Sequence, residues 1–233
     1  MKSMREQPES GRIPQIDVIR TVSTELEEDI VLGRLHPRER LIENDLAARF
    51  QTNRAVIRAA LHELDRKGII QRIPNRGAVV HDLSPEQVEQ IYSVREELET
   101  LAARIIRLPV SADDIAKLEA LQQQHATAVA ARDLRSVFRS NLEFHRAMFS
   151  LCGNPYLIEM IEQLAEKSYA IRSYSSTVPE YLDLVRDQHL AMLDALRHGR
   201  RDELVDLLRR HLKPSRRAYI EAYEQRFGKD SAR

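Results

Sequence analysis

Apolar residues recur with a helical period through most of this chain. The first such segment runs from Ile16 to Leu32 and is followed by Gly33, as is typical of a helix end. Two shorter patterns lie side by side between Leu41 and Leu61, interrupted at Gln51-Thr52-Asn53. Asn53 can cap the second, because its side chain can accept a hydrogen bond from a free backbone amide. These patterns predict three helices, with a tight turn between the last two.

The two short helices have the spacing of a helix-turn-helix. Arg54 and Arg58 lie four residues apart at the start of the second helix, on a face separate from its apolar residues. This geometry would place the first residues of that helix against base edges in a major groove. On this stretch alone, a compact helical hairpin with solvated arginines is the alternative.

Two β-branched runs follow, at 69–73 and 78–81, and predict a β-hairpin. The turn between them is Pro74-Asn75-Arg76-Gly77. Gly77 can adopt the positive φ that a hairpin turn requires, and Arg76 at the tip could reach a phosphate or the minor groove. A hairpin in this position is the wing of a winged helix-turn-helix.

From Ser84 onward, long helical patterns with brief breaks predict an all-helical domain. Ser84, Pro85 and Gln87 form a strong helix start, with an N-cap, a proline at the first position and a capping-box residue. Six helices are predicted, at approximately 84–107, 111–131, 133–152, 154–175, 179–198 and 200–227. Short connections between them indicate an antiparallel bundle. Pro214 predicts a kink or break in the last helix.

The predicted fold is therefore mainly α. Its parts are a disordered lead-in at 1–12, a winged helix-turn-helix DNA-binding domain at 13–82 and the helical domain at 83–228. A length of 233 residues fits two modest domains. No internal repeat is evident.

Charge and cysteine content narrow the class of protein. Residues 33–81 contain ten Lys or Arg against five Asp or Glu, although the whole chain has a formal net charge of zero. This asymmetry suits a DNA-binding unit on a neutral or acidic body. A single cysteine, Cys152, excludes an internal disulfide framework, and no apolar stretch approaches the roughly 20 residues of a membrane helix. A cytoplasmic protein without a membrane partner is expected.

Three histidines and an asparagine lie on the apolar faces of the predicted bundle helices. His189 and His211 lie eleven residues before and after Arg200, so an antiparallel turn there would put both at one level. Asn141 and His145 are one helical turn apart and can address a single point. Three imidazoles and an amide oxygen suit Zn²⁺ or Ni²⁺, with positions left for water or an anionic ligand. Singly, each histidine would more commonly be a hydrogen-bonded core residue.

Arg95 interrupts the apolar stripe of the first bundle helix. A buried guanidinium needs an anion to offset the cost of leaving water. Either a nearby carboxylate, Glu97 or Glu99, or a carboxylate ligand held by the bidentate guanidinium fork could supply it. Arg172, near Tyr169 on the fourth bundle helix, is a weaker candidate of the same kind.

The N-terminal segment resembles the GntR family of bacterial transcription regulators, from about 16 to 83. LAARFQTNRAVIRAALHELDRKGII followed by PNRGAVV is similar to that family's recognition helices and NRG wing. The resemblance implies DNA contacts by Asn53, Arg54, Arg58, Arg76 and Gly77. Gln51 stands where the family usually has Gly, Ala55 and Val56 replace a Thr-Pro pair, and Ala59 replaces a Glu. These departures bear on the operator sequence rather than on the fold.

The segment from Ser84 to about Tyr219 resembles the FCD effector domain of the FadR subfamily. The similar motifs are VREELE, NLEFHRAMF, GNPYL, QHLAMLDAL and HL. The resemblance implies that His145, His189 and His211 are metal ligands, and that Arg95 helps to hold a small carboxylate. The family's usual first ligand is Asp; Asn141 lacks that charge, which would weaken metal binding or change the preferred metal.

Together these features predict a homodimeric DNA-binding regulator, a repressor, whose bundle binds a divalent metal and a small organic acid that modulates operator affinity. Two-fold symmetry would match a pseudo-palindromic operator. One alternative is the same regulator with a structural metal, or with no metal, and a different signal. Another is a metal-dependent enzyme, which is disfavoured because no inward Asp or Glu accompanies the histidines.

Overall fold

A computed structural model of the protein describes residues 15–73, 77–175 and 177–227. The N-terminal unit, residues 15–80, contains three helices and a small sheet. Its elements are α1 (Gln15–Val31), β1 (Arg40–Leu41), α2 (Glu43–Arg49), α3 (Arg54–Arg66), β2 (Ile70–Ile73) and β3 (Gly77–Val80). The strand order is β1-β3-β2, and both pairings are antiparallel. The predicted helices and hairpin are confirmed, whereas β1 is too short to produce a recognisable pattern. The predicted disordered lead-in lies outside the described residues.

The turn between α2 and α3 is a Schellman motif followed directly by an N-cap. The backbone N–H groups of Gln51 and Thr52 donate to carbonyls of α2 at 3.3 and 3.0 Å. Gln51 has a φ of +49°, in the left-handed region that favours glycine. The Asn53 side chain then accepts from the Val56 amide at 3.0 Å and begins α3, as the sequence predicts. This backbone conformation explains why the GntR family, which the segment resembles, usually has glycine where this chain has Gln51.

The substitution Gln51→Gly is expected to raise the free energy of unfolding by about 0.5–1 kcal/mol, because a non-glycine residue pays about 1 kcal/mol or more in the left-handed region. Urea denaturation would measure the change. Gln90→Gly, in the exposed interior of a helix, is the matched control and should lower stability by about 1 kcal/mol. If both substitutions changed the free energy of unfolding in the same direction, the assignment of strain to Gln51 would be contradicted.

The helical unit, residues 85–227, follows the wing after a short connector. Its helices are α4 (Pro85–Ile105), α5 (Ala112–Ala131), α6 (Leu134–Ser150), α7 (Pro155–Lys167), α8 (Tyr169–Arg172), α9 (Pro179–Arg197) and α10 (Arg201–Phe227). The predicted capping box at Ser84 and Gln87 is present in both of its hydrogen bonds. The mainly helical fold is confirmed. None of the described helices is long and apolar enough to cross a membrane.

The helical unit departs from the prediction at two places. The helix predicted at 154–175 ends at Lys167, and the short α8 follows. The buried Ser168 hydroxyl donates to the Leu164 and Ala165 carbonyls, and such side-chain bonds compete with the regular helical pattern. Of the kink or break predicted at Pro214, the break does not occur: α10 continues through the proline and packs against α4 and α9.

Helix α6 joins the two units. The buried Glu28 carboxylate of α1 forms ion pairs with Arg135 and with Arg139, the latter at 2.6 Å. Phe138 of α6 and Tyr169 of α8 pack into the apolar core of the N-terminal unit. A movement of α6 would therefore displace residues that contact α1 directly.

Candidate DNA-binding surface and candidate metal centre

Arg54 and Arg58 project from the first turns of α3, with side chains that are 58% and 56% exposed. Both guanidinium groups bind the same carboxylate, that of Glu43 at the start of α2. Arg54 Nη2 donates to Glu43 Oε2 at 3.0 Å, and Arg58 Nε donates to the same oxygen at 2.9 Å. Glu43 thus orients the two arginines that the sequence places at a DNA surface, a role that sequence reasoning missed.

A concave surface extends from these arginines to the wing, and Arg72 and Gly77 also line it. Gly77 has a φ of +84°, as the predicted turn requires, and begins β3. A Cβ at this position would lie 3.2 Å from the Leu41 carbonyl oxygen, so the close approach of β1 also disfavours a side chain here. Arg76, the predicted wing contact, lies outside the described residues.

The substitution Glu43→Gln is expected to raise affinity for non-specific duplexes by about two- to fivefold while reducing sequence discrimination. It removes one repulsive charge and releases both arginines from ion pairs worth about 0.2–1 kcal/mol each. Fluorescence anisotropy with random and selected duplexes would measure both effects. Glu86→Gln, an exposed residue in the helical unit, should change neither; unaltered discrimination in Glu43→Gln would contradict the orienting role.

Helices α6, α9 and α10 bring three histidines to one point. His145 Nε2 lies 3.1 Å from both His189 Nε2 and His211 Nε2. One ligand atom from each ring lies within 4.8 Å of the others. The His189 and His211 ring centroids are 5.2 Å apart, as their equal spacing from the α9–α10 turn predicts. Asn141, one turn before His145, lines the same cavity.

Two glutamines orient these rings. His189 Nδ1 donates to Gln122 Oε1 at 3.0 Å, and His211 Nδ1 donates to Gln188 Oε1 at 2.7 Å. A neutral imidazole with its proton on Nδ1 presents a lone pair at Nε2. Both lone pairs therefore face His145. An acceptor behind each ring is the usual support of a metal-bound histidine.

The site keeps its histidines neutral. Burial lowers the pKa of His145 and His189 well below the usual value, and lowers that of His211 to about 3. The neighbouring histidines and arginines act in the same direction. Neutral imidazoles are the form that binds metal, so no proton needs to be displaced near neutral pH.

The donor set fits a divalent metal. His145 Nε2 can donate to only one of the two lone pairs at 3.1 Å, and its Nδ1 is buried without a partner among the described residues. Nitrogen ligands about 2.1 Å from a tetrahedral Zn²⁺ lie about 3.4 Å apart, close to the spacing found here. A cation between the three nitrogens would satisfy the lone pairs that the folded chain leaves facing one another.

The cavity beside the histidines is lined by two arginines with different environments. Arg95 is buried and binds Glu99, with Nη2 to Oε1 at 2.9 Å, and its Nη1 donates to Ser168 at 3.0 Å. Of the two anions considered for Arg95, a neighbouring carboxylate is therefore present. Arg172 also lines the cavity, and no carboxylate of the described residues is ion-paired with it. Arg172 is the better placed of the two for an incoming anion.

Glu99 corrects one expectation from the sequence, because a buried carboxylate does line the cavity beside the histidines. The expectation failed because Glu99 faces inward only together with Arg95, one helical turn before it. Both guanidinium contacts to Glu99 use Oε1, at 2.9 and 3.1 Å. Glu99 is thereby held as the counter-ion of a buried arginine.

Two family models match the chain. The model described as "Bacterial regulatory proteins, gntR family" matches residues 19–80, and the FCD domain model matches residues 90–214, which is more than half of the chain. The protein is a GntR-family regulator with an FCD domain. It is therefore a DNA-binding transcription regulator and not an enzyme, and its helical unit is an effector-binding domain.

Curated relatives agree with this family, and solved structures share the fold. The regulator McbR of Escherichia coli K12 is 27% identical over 67% of this chain and 71% of its own length. The repressor RspR of the same organism is 26% identical over 80% of this chain and 82% of its own. The solved structure of E. coli McbR/YncC has a TM-score of 0.75 at 23% identity, covering 88% of this chain and 98% of that one. A GntR regulator from Rhodococcus sp. RHA1 has a TM-score of 0.73 at 20% identity, covering 89% and 99%.

Sequence reasoning about this GntR regulator missed Gln122 and His125, although a signal for both existed. They share the apolar stripe of α5 with Ile115 and Leu118, and both are buried. Polar residues on a buried stripe need partners. Gln122 supports His189, whereas His125 lines the cavity at the end of α5 nearest α6.

Proposed function

We propose that this protein is a homodimeric repressor that releases its operator when a small carboxylate binds beside a divalent metal held by the three histidines. The observation that carries the proposal is the convergence of three neutral Nε2 atoms, two of them oriented by glutamines. Zn²⁺ or Ni²⁺ suits this donor set, with Asn141 as a fourth, uncharged ligand.

The carboxylate is supported by the charges around the cavity. With Asn141 in place of an acidic ligand, a bound divalent metal keeps its full positive charge, because imidazole and amide are both neutral. Arg172 adds a second positive charge at the cavity wall. Arg95 contributes less, since Glu99 already balances its guanidinium. A small organic acid would bridge the metal and Arg172.

Coupling to DNA follows from the position of α6. This helix carries Asn141 and His145 at the cavity, and Arg135 and Arg139 at the ion pairs with Glu28 of α1. A ligand can shift operator affinity only if it favours one arrangement of the N-terminal units over another. A displacement of α6 on ligand binding would reach α1 through those ion pairs and through Phe138.

The DNA surface consists of Arg54, Arg58 and Gly77, together with Arg76 at the wing. Asn53 uses its amide oxygen for the α3 cap, which leaves its amide N–H₂ for a phosphate. Two copies related by two-fold symmetry would read a pseudo-palindromic operator. Repression is favoured because the relative RspR is described as a repressor. Such a regulator acts in the cytoplasm.

The proposal is tested by thermal shift on metal-stripped protein, titrated with Zn²⁺ or Ni²⁺ and then with small carboxylates. A metal at 100 times its Kd adds about 2.7 kcal/mol, which corresponds to a rise in Tm of roughly 5–10 °C for a chain of this size. His189→Ala and His211→Ala should abolish the rise, whereas His198→Ala, whose side chain is 57% exposed, should retain it. Arg172→Ala should keep the metal response and lose the carboxylate response.

The same results distinguish the proposed function from a second candidate, a regulator with a structural metal that responds to another signal. The Arg95–Glu99 pair favours it, because one of the two arginines is already neutralised within the chain. A metal response without any carboxylate response would establish that candidate. Full metal binding by both histidine variants would overturn the metal site itself.

A further inference from the structure

Helix α4 carries a second apolar stripe, separate from the face that packs into the bundle. Its members recur at alternating spacings of three and four residues, and we call them the α4 seam: Ile91, Val94, Leu98, Leu101 and Ile105. Val94, Leu101 and Ile105 are 48%, 42% and 40% exposed. This spacing is that of the surface which a second helix covers in a coiled coil. Three of the five side chains nevertheless stay open to solvent.

Charged residues on the two sides of α4 differ in how they are paired. On the side that faces α10, Glu89 binds Arg216 at 3.1 Å. On the solvent side of the seam, Glu97 and Arg104 are exposed, and neither forms an ion pair within the described part of the chain. They are two helical turns apart, about 10 Å, which is too far for them to pair with each other. Both charges are therefore available to a partner.

The order of these residues is self-complementary when two copies of α4 run antiparallel. A two-fold axis near residues 99–100 sets Leu98 against Leu101 of the second copy and Glu97 opposite Arg104 of the second copy. Residues that flank an apolar seam form the salt bridges between helices and fix their direction. A parallel alignment would bring Glu97 only to the height of its own copy, and would leave both charges without an opposite charge.

The N-terminal units favour the same direction. Helix α4 begins at Pro85, just after the wing. At about 1.5 Å per residue, Pro85 lies roughly 22 Å from the middle of the seam, so an antiparallel pair separates the two helix starts by about 44 Å. Half-sites one DNA turn apart are about 34–36 Å from centre to centre, a similar distance. Parallel helices with axes about 8–10 Å apart would force the two N-terminal units into the same space.

The neighbouring helix can widen this surface. A stable interface buries about 800 Å² on each partner, which is more than one seam supplies. Helix α7 packs against α4 and also exposes apolar side chains, Tyr156 at 79% and Met160 at 43%. Two helices of each copy are thus available to a second copy.

We propose that two copies of this chain pair antiparallel through the α4 seam, with Glu97 of each bound to Arg104 of the other. This inference rests on the proposed function, which requires a homodimer, and it names the surface that forms it. The buried face of the same helix carries Arg95 at the cavity. The dimer seam and the effector cavity therefore lie along one helix.

The test is sedimentation equilibrium of the full chain. The wild type should sediment as a dimer, and Leu101→Glu should weaken dimerisation roughly 100-fold or more, because it places an unpaired charge in the closed seam. Leu190→Glu is the matched control and should remain dimeric, since Leu190 is a leucine of α9 that is 50% exposed. Both leucines are exposed, so both variants should keep the circular dichroism spectrum of the wild type.

Charge reversal tests the direction of pairing. Glu97→Arg or Arg104→Glu alone would set like charges opposite each other twice in the dimer, and should weaken dimerisation about 5- to 30-fold. The double variant restores two pairs of opposite charge and should dimerise within about threefold of the wild type. Because the two residues cannot meet within one chain, such a recovery can come only from pairs between chains.

The outcomes distinguish this inference from the proposed function. If Leu101→Glu dimerises as the wild type does, another surface forms the dimer, and this inference fails while the homodimer stands. If the double variant stays as weak as the single variants, the antiparallel pairing is wrong. A wild type that is monomeric at every concentration would overturn both the homodimer and this inference, and would assign the seam to a different protein. The metal and carboxylate titrations would still decide the rest of the proposed function.

Discussion

Replacing Arg54 and Arg58 together with alanine is expected to lower operator affinity by on the order of 100- to 1,000-fold. Each bidentate contact between arginine and a guanine edge is worth about 1–3 kcal/mol of discrimination. Both side chains project from α3 more than half exposed, and among the described residues they share Glu43 as an ion-pair partner. DNA has to replace that partner, which a duplex can do because an ion pair exposed to water contributes only about 0–1 kcal/mol. The same variant should melt as the wild type does.

The measurement begins with selection of an operator from random duplexes by the wild-type protein, followed by anisotropy titrations at several salt concentrations. Arg66→Ala is the matched control, because Arg66 is an exposed arginine at the opposite end of the same helix. It should lose little affinity and no discrimination. Operator affinity should fall steeply as salt rises, since phosphate contacts release counterions. Retention of specific binding by the double variant would show that α3 does not read the operator.

Local patterns determined most of the N-terminal unit, and for that reason it could be predicted. The α2–α3 turn is closed by hydrogen bonds between residues no more than five apart, and Asn53 caps α3 through Val56 only three residues away. The position of His189 and His211 at the same height along α9 and α10 could also be predicted. Two antiparallel helices joined by a short turn have their register set by the helical rise alone.

Contacts between residues far apart in the chain could not be predicted in the same way. Gln122 supports His189 from 67 positions away, and Arg95 reaches Ser168 across 73. Helix periodicity shows that a residue faces inward, but not which neighbour it meets. The Arg95–Glu99 pair was one of two explanations that the sequence left open, and only the packed bundle shows that the carboxylate is present.

Metal-free protein is expected to lose stability sharply as the pH falls below about 6.5, the pKa of an unfolded histidine. Four histidines have lowered pKa values in the fold: His125 at about 4, His211 at about 3, and His145 and His189 well below their usual value. Between pH 6.5 and about 4 the unfolded chain binds protons that the folded chain does not. Unfolding therefore becomes more favourable as pH falls, by up to about 1.4 kcal/mol per pH unit for each histidine.

Glu27 acts in the opposite direction, because burial raises its pKa and the folded chain takes up its proton first. One such carboxylate cannot offset four histidines, so the free energy of unfolding still rises with pH.

Urea denaturation from pH 7.5 to 4.5 would measure this dependence of stability on pH. His211→Asn should reduce the slope by up to about 1.4 kcal/mol per pH unit, whereas His198→Asn, at an exposed position, should not. Equal slopes in wild type and His211→Asn would mean that the fold does not lower the pKa of His211, and would contradict the assignment of a buried, neutral imidazole at this position. Added Zn²⁺ should raise the free energy of unfolding across this pH range without changing the slope, because the folded rings are already neutral and binding displaces no proton.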